Sequence, residues 1–132
     1  MKKISSIAVY CGSSAGNNHF FFEEAENIGK FLAINKIKLI YGGGNLGLMG
    51  AVSGAALKNG GEVMGVITSH LVNKEKINED LSDIHIVESM SERKNKMFNA
   101  ADAFLILPGG IGTLEEFFEI LSWKQLKLHS KD

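Results

Sequence analysis

The sequence predicts a three-layer α/β fold in which helices cover both sides of a parallel sheet. Apolar, β-branched runs alternate with segments of helical periodicity along the chain. These runs are short and apolar on both faces, as parallel strands buried between helices are. Glycine accounts for 15 of 132 residues and gathers where the strand runs end. We therefore predict a Rossmann-like fold and, because no repeat or linker interrupts the pattern, one domain over residues 1–132.

Runs rich in apolar and β-branched side chains predict three strands in the first half of the chain, and apolar residues at helical spacing predict two helices. The strands are residues 4–10, 37–41 and 62–68, and the helices are residues 20–35 and 46–57. Asn59, Gly60 and Gly61 follow the second helix and are predicted to end it, because glycine tolerates the left-handed backbone of a C-terminal cap.

The second half begins with a polar segment, residues 69–83, that is too long for a simple turn. Strands are predicted over residues 84–87 and 103–107, and a helix between them runs to Ala101. Ser91 is predicted to cap that helix, because its hydroxyl can accept a bond from a free backbone N–H. The last helix is predicted to bury one apolar stripe, formed by Leu114, Phe117, Phe118 and Leu121.

The bulk composition is that of a soluble globular protein, with 45% hydrophobic and 22% charged residues. The net charge of −1 gives no overall attraction to nucleic acid or to an anionic membrane. No apolar run is long enough for a signal peptide or a membrane span. The single cysteine, Cys11, has no disulfide partner and no zinc motif is present, which agrees with a reducing compartment. We therefore expect a cytoplasmic protein without a metal or redox cofactor.

Glycine or serine clusters follow three of the predicted strands, at residues 11–16, 42–50 and 108–113. The carboxyl ends of parallel strands meet at one edge of the sheet, where such folds bind ligands. Glycine lets an anion approach the backbone amides, and the N-terminus of a following helix adds N–H donors and partial positive charge. The three clusters together predict a phosphate site, although any one of them could serve turn geometry alone.

Gly42, Gly44 and Gly47 have the spacing of the dinucleotide-binding fingerprint. The acidic residue that this fingerprint requires about 20 positions later is Glu62, which begins a strand instead of ending one. A contact between Glu62 and a ribose is therefore not expected, and a mononucleotide is favoured over NAD.

Arg93 and Lys94 lie in the first turn of a predicted helix, where cations oppose the helix dipole. They form either a solvated pair that Glu92 partly neutralises, or a site where an anionic ligand supplies the missing negative charge. Position alone leaves both interpretations open.

Three carboxylates, Glu115, Glu116 and Glu119, lie near the start of the last helix, where the dipole favours them. Glu115 and Glu119 are four residues apart and share a polar face with Ser122. Glu116 lies at the edge of the apolar stripe and directly follows the predicted phosphate loop. A partly buried carboxylate at that place would face the sugar of a bound nucleotide.

Two motifs in the second half of the chain are specific in combination. They are Ser-Met-Ser-Glu-Arg-Lys at residues 89–94 and Pro-Gly-Gly-Ile-Gly-Thr-Leu-Glu-Glu at residues 108–116. Together they resemble the signature of the LOG (Lonely Guy) family, the cytokinin riboside 5′-monophosphate phosphoribohydrolases, which residues 11–14 and 41–50 also match. The resemblance implies a homodimer that needs no cofactor. It would hydrolyse the N-glycosidic bond of N6-modified AMP, and often of AMP itself, to the free base and ribose 5-phosphate.

The resemblance also implies which residues form the site. Arg93 and Glu116 match the catalytic pair, in which Glu116 would stabilise positive charge on the ribose and Arg93 the charge on the departing base. The positions predicted to contact the substrate are Ser13, Gly43, Gly44, Glu75, Lys94, Gly109, Gly110, Ile111, Gly112, Thr113, Leu114, Glu115 and Ser122.

The chain departs from the family pattern in three places. Residues 71–75 read Leu-Val-Asn-Lys-Glu where the family usually has Leu-x-Pro-Arg-Glu, and Ser122 stands where many members have threonine. The family normally continues beyond Asp132 with another strand and helices. Without them, we expect a sheet edge and apolar helix surface to remain uncovered.

The main alternative is a non-catalytic carrier of a nucleotide or cofactor, because related Rossmann-like proteins bind ligands without hydrolysing them. A carrier needs the glycine loops but not Arg93 and Glu116, whose joint presence favours an enzyme. Lysine decarboxylation would need pyridoxal phosphate on a lysine, for which no dedicated site is evident. A single-stranded DNA binder would need a basic groove with interleaved aromatic residues, which the sequence lacks.

Overall fold

The structure, a computed structural model, describes residues 3–12 and 19–132. Over these residues the chain alternates strands and helices, as the sequence predicts. The elements are β1 (Ser6–Tyr10), α1 (His19–Ile34), β2 (Lys38–Tyr41), α2 (Gly47–Lys58), β3 (Val63–Thr68), β4 (Asp83–Val87), α3 (Met90–Ala100), β5 (Ala103–Ile106) and α4 (Ile111–Gln125). None of the described helices is long and apolar enough to cross a membrane.

The five strands form one sheet in the order β4-β3-β2-β1-β5, and every neighbouring pair is parallel. β1 lies between β2 and β5, so that Ala8 pairs with Ile40 on one side and with Phe104 on the other. The predicted α/β fold with a parallel sheet is therefore confirmed. This order brings the carboxyl ends of β1, β2, β3 and β5 to the same edge.

Alternate residues of the central strands face two separate hydrophobic cores. Val9 of β1 packs with buried residues of α1 and α2, including Leu32 and Val52. Its neighbour Tyr10 packs on the opposite face with Met97 of α3. Because both faces of the sheet are covered, the strands are apolar throughout, which is the pattern that predicted them.

The ends of two helices test the predicted caps. The predicted end of α2 is confirmed, because Gly60 has a φ of +77° and the Gly61 N–H donates to the Ala56 carbonyl at 2.8 Å. The cap predicted for α3 is wrong: Ser89, not Ser91, precedes the helix, and its Oγ accepts a hydrogen bond from the Glu92 N–H at 3.1 Å. Both serines precede the same apolar positions, and the sequence contains Glu92 three residues after Ser89, the spacing of a capping box.

The predicted burial of the α4 stripe is also wrong for three of its four residues, while the fourth, Phe117, is half-buried. Leu114, Phe118 and Leu121 are 45%, 59% and 48% exposed. α4 instead turns Ile120 towards the core beside Tyr10, and the Trp123 ring lies edge-on to Phe98 at 5.2 Å between ring centres. Leu114, Phe118 and Leu121 lie on the outer side of α4, where no other layer of the described residues covers them.

The polar segment after β3 folds back onto the glycine loop that follows β2. Gly44 and Ile77 form an antiparallel bridge, and the Asn78 N–H donates to the Gly43 carbonyl at 3.0 Å. The buried Asn78 side chain also donates to the Ser53 hydroxyl of α2 at 3.3 Å. These contacts hold the segment over the carboxyl edge of the sheet and bring Glu75 to that edge.

Candidate active site

A pocket of about 320 Å³ lies at the carboxyl edge of the sheet. Its walls come from the ends of β1 and β2, from the segment after β3, from α3 and from the first turns of α4. The polar and small residues in the lining include Cys11, Gly42, Glu75, Arg93, Thr113 and Glu116. The pocket is at the edge where parallel α/β sheets bind their ligands.

Arg93 is a buried cation at the floor of this pocket, with 6% of its surface exposed. Its Nε donates to the Val66 carbonyl at 2.8 Å, and its Nη2 donates to the Gly42 carbonyl at 2.7 Å. The same Nη2 lies 3.2 Å from Glu75 Oε2, which completes a buried ion pair. The interpretation of Arg93 as a solvated residue beside Glu92 is therefore wrong, because the carbonyls of Val66 and Gly42 and a carboxylate from another segment compensate its charge.

Glu116 of α4 projects into the pocket with its carboxyl largely removed from water. Burial raises the pKa of Glu116 from 4.5 to about 7, since the charged form loses hydration. The positive charges of Arg93 and Lys94 oppose this rise, and the negative charges of Glu115 and Glu75 add to it. A carboxyl that titrates near neutral pH can accept or donate a proton under physiological conditions.

The loop before α4 brings the N-terminus of that helix to the pocket. α4 begins at Ile111, and Gly110 precedes it without a side-chain cap, so that N–H groups of the first turn are available to an anionic ligand. A Cβ at Gly109 would collide with the Thr113 side chain and lie 2.9 Å from the Gly12 nitrogen. Close packing of this loop against the end of β1 thus explains Gly109, whereas a Cβ at Gly110 or Gly112 would meet no atom within 4 Å.

Lys94 points away from Arg93 and joins α3 to α4. Its Nζ donates to Glu115 Oε1 at 2.7 Å and to Glu119 Oε2 at 2.9 Å. These hydrogen bonds raise the pKa of Lys94 and keep it charged. The carboxylates of α4, and not Glu92, therefore neutralise this cation.

The remaining lining of the pocket is apolar or weakly polar. Cys11 lies there as a protonated thiol, because burial raises its pKa to about 12. It is therefore not an activated nucleophile at neutral pH. Among the described residues, no group of three or more His, Cys, Asp or Glu side chains is placed to hold a metal ion.

Over residues 49–132 the chain matches the protein family described as possible lysine decarboxylase. The chain belongs to this family. A cytokinin riboside 5′-monophosphate phosphoribohydrolase of Rhodococcoides fascians is 44% identical over 127 residues, which is 96% of this chain and 64% of that protein. Proteins of the same name from Arabidopsis thaliana and Oryza sativa subsp. japonica are 43% and 46% identical, over 98% and 95% of this chain.

These relatives confirm the resemblance to LOG proteins that the two motifs predict. The Arabidopsis and Oryza proteins are longer, and the matched part is 61% and 52% of their lengths. The chain thus spans about half to two thirds of the length of the curated relatives that it matches.

Solved structures with the same fold include molybdenum cofactor carrier proteins. The carrier from Chlamydomonas reinhardtii has a TM-score of 0.77 and 23% identity, over 92% of this chain and 73% of that chain. The molybdenum cofactor binding protein from Rippkaea orientalis has a TM-score of 0.75 and 23% identity, over 96% and 75%. At this identity the likeness shows the shared fold alone.

The fold brings six of the predicted site residues of this chain into one pocket. They are Glu75, Arg93, Gly110, Gly112, Thr113 and Glu116. Gly43 and Gly44 are buried beneath the pocket, where they contact the segment after β3. Ser13 lies outside the described residues. The residues that do not line the pocket in this structure are Gly43, Gly44, Lys94, Gly109, Ile111, Leu114, Glu115 and Ser122.

Sequence reasoning missed part of the pocket wall. Tyr10 ends β1 and Cys11 begins the first glycine or serine cluster, so their place at the carboxyl edge was available from the strand pattern. Met49, Met90 and Met97 also line the pocket, but they come from two helices, and no site role was predicted for them although Met49 and Met90 lie within the matching motifs. Only the packing of those helices against the sheet brings them together.

Proposed function

We propose that the chain binds a nucleoside 5′-monophosphate in this pocket and hydrolyses its N-glycosidic bond, releasing the free base and ribose 5-phosphate. The proposed substrates are N6-modified adenine nucleotides, the cytokinin riboside monophosphates, and AMP itself. The observation that carries the proposal is the meeting of the buried Arg93, the Glu116 carboxyl and the N-terminus of α4 in one pocket. The names of relatives that are 43% to 46% identical support the substrate class.

The N-terminus of α4 is the proposed phosphate site. Backbone N–H groups near Gly110, Gly112 and Thr113 would bind the phosphate oxygens, and the helix dipole would favour the negative charge. Binding the phosphate there fixes the sugar relative to Glu116, which lies one helical turn further along. Such positioning lowers the entropic part of the activation barrier.

The proposed chemistry uses Glu116 and Arg93 at the two sides of the scissile bond. Cleavage develops positive charge on the ribose, as in other glycoside hydrolyses. The Glu116 carboxylate would stabilise that charge, activate a water molecule or attack as a nucleophile. Arg93 would offset negative charge on the departing base, and because backbone carbonyls already hold it, little reorganisation is needed during the reaction.

A chromatographic assay of base release from AMP and isopentenyladenosine monophosphate tests this proposal. The wild-type chain should release free base, whereas Glu116→Gln should bind AMP by calorimetry but release none. Glu24→Gln, which removes a carboxylate from the exposed face of α1, is the matched control and should remain active. Turnover retained in Glu116→Gln would refute the catalytic assignment. Binding without turnover in the wild type would favour a carrier function.

We also propose that the protein acts in the cytoplasm as a homodimer or larger homo-oligomer. The single cysteine agrees with a reducing compartment. The exposed stripe of α4, defined here as Ile111, Leu114, Phe118 and Leu121, supports self-association because monomeric proteins rarely expose such a contiguous apolar surface. The stripe begins beside the glycine loop, so a second copy bound there would lie close to the pocket entrance.

A further inference from the structure

Lys94 is engaged by two carboxylates of a neighbouring helix. Glu115 and Glu119 are four residues apart and therefore lie on the same face of α4. Their oxygens accept hydrogen bonds from Lys94 Nζ at 2.7 and 2.9 Å, and only 19% of the lysine side chain is exposed. The Glu115 side chain is 52% exposed and that of Glu119 is 27% exposed, so water screens the first ion pair more than the second. Both hydrogen bonds gain strength from the opposite charges of their partners.

The position of these residues along their helices links them to the proposed catalytic pair. Arg93 precedes Lys94 in α3, and Glu115 precedes Glu116 in α4. Adjacent helical residues point about 100° apart, so one member of each pair can face the pocket while the other faces the neighbouring helix. Arg93 is hydrogen-bonded to Val66 within β3 and to Gly42 directly after β2, which fixes α3 to the sheet.

The N-terminal half of α4 is held to the rest of the fold by the buried Thr113 and by the two carboxylates that bond Lys94. Thr113 is the one residue of α4 that is fully buried, and Leu114 and Phe118 are exposed. Packing of Ile120 and Trp123 holds the C-terminal half of the helix. The lysine contacts therefore act on the turns that contain Glu116.

We propose that Lys94, Glu115 and Glu119 form a tether that sets the position of the Glu116 carboxyl relative to Arg93. Lys94 is then a positioning residue that acts through α4, and not a contact to the phosphate of the substrate. The inference rests on the proposed function where it is tested by enzyme activity. Its second test, the titration of Glu116, does not depend on that function.

The tether also acts on the charge of Glu116. Arg93 and Glu75 share the pocket with this carboxyl, as do the uncharged Tyr10 and Cys11. The charges of Arg93 and Lys94 lower its pKa, and those of Glu115 and Glu75 raise it. Removing the positive charge in Lys94→Met should raise the pKa of Glu116 further. Removing the negative charge in Glu115→Gln should lower it. A general loosening of the fold would not produce opposite shifts.

The first test is a double-mutant cycle with Lys94→Met, Glu119→Gln and the double variant, assayed with AMP. Misplacement of a catalytic group should lower the kcat of Lys94→Met about tenfold and change KM by less than about twofold. The double variant should be no worse than Lys94→Met, because both changes break the same contact. Lys94→Arg should recover most of the loss, and Lys96→Met on the exposed side of α3 is the matched control.

The second test is an NMR titration of the Glu116 side-chain carboxyl in the wild type, Lys94→Met and Glu115→Gln. It requires no turnover, so an inactive wild type would refute the proposed function without affecting this measurement. Opposite shifts in the two variants show that both charges act on Glu116, and together with the loss of kcat in Lys94→Met they support the tether. Unshifted titrations, or a Lys94→Met variant that raises the KM for AMP at unchanged kcat, would overturn it.

Discussion

At the scale of single residues, the site places Arg93, whose charge is balanced by hydrogen-bond acceptors, beside Glu116, whose charge is poorly balanced. Arg93 has two carbonyl acceptors and one carboxylate, so its charge is stabilised at the pocket floor. Glu116 shares the pocket, and its burial leaves the charged form poorly solvated. In this pocket Arg93 keeps its charge while Glu116 can gain or lose a proton near neutral pH, as proton-transfer chemistry requires.

The protonation of Glu116 should set the pH dependence of activity. Its pKa of about 7 means that the carboxylate forms as the pH rises through neutrality. In each proposed role the charged form is active, so kcat/KM for AMP should increase between pH 5.5 and 8 and then level off. Initial rates across this range would show it. A profile that is flat or falls through pH 7 would contradict the role given to Glu116.

The same pKa predicts how Glu116 affects stability. A folded-state pKa above the unfolded value means that the folded chain keeps its proton while the unfolded chain loses it, so stability falls from about pH 4.5 to 7. At about 1.4 kcal/mol for each pH unit by which the pKa is raised, Glu116→Gln should be more stable than the wild type at pH 8 by about 3 to 4 kcal/mol. Urea unfolding at pH 8 and pH 4.5 measures this, and equal differences at both pH values would contradict it.

At the scale of elements, short local contacts decide where helices begin and how closely they pack. Ser89 sets the start of α3 and therefore the direction in which Arg93 and Lys94 point. Gly29 allows α1 to lie against α2, because a Cβ there would collide with the Val52 carbonyl oxygen. Ser89 thus determines where α3 begins, and Gly29 determines how closely α1 and α2 pack on the other face of the sheet.

Removal of the α3 cap should destabilise the protein measurably. Ser89→Ala loses the acceptor for the Glu92 N–H, at a cost of about 1 kcal/mol in the free energy of unfolding. Ser91→Ala, inside the first turn, should be neutral or slightly stabilising because alanine favours helix. Chemical denaturation of both variants compares them directly. Equal effects would mean that the helix begins elsewhere.

The contact between α1 and α2 leads to a second comparison of stability. Gly29→Ala should cost about 1 to 3 kcal/mol, because the added methyl group forces the two helices apart. Gly54→Ala is the control on α2, where a Cβ meets no atom within 4 Å. It should stabilise by up to about 1 kcal/mol through helix propensity. Thermal unfolding of the two variants should therefore shift in opposite directions.

At the scale of the whole molecule, two cores lie on opposite faces of one sheet, and the stripe of α4 lies outside both. Phe118 in that stripe is 59% exposed, as is Phe31 on α1. The two phenylalanines therefore present equal fractions of their surface on opposite layers of the molecule. Substituting each phenylalanine in turn therefore distinguishes self-association through α4 from a general effect of exposed aromatic surface.

Substitution within the stripe should weaken the association of the chain. Phe118→Asp should shift the oligomer towards monomer, because a charge in the stripe opposes burial against a second copy. Phe31→Asp, with the same exposed fraction, should leave the assembly unchanged. Analytical ultracentrifugation over a range of concentrations measures both. A wild-type chain that stays monomeric throughout would refute the proposed oligomer.

The sequence by itself was sufficient for the order and type of the elements, the parallel sheet and the family. Those properties follow from local patterns, since apolar runs, helical periodicity and glycine after strands can each be recognised within a few residues. The motifs around Arg93 and Glu116 were equally local. The predicted cap of α3, Ser91, was wrong because Ser89 fits the local pattern as well, and only the hydrogen bond to the Glu92 N–H identifies Ser89 as the cap.

Only the tertiary structure decided which residues meet. The ion pair between Arg93 and Glu75 joins segments 18 residues apart, and the contact of Lys94 with Glu115 spans 21 residues. Both depend on how α3 and α4 pack against the sheet, which periodicity does not specify. The outward direction of the α4 stripe was misjudged for the same reason, because an apolar pattern shows that a face avoids water but not what covers it.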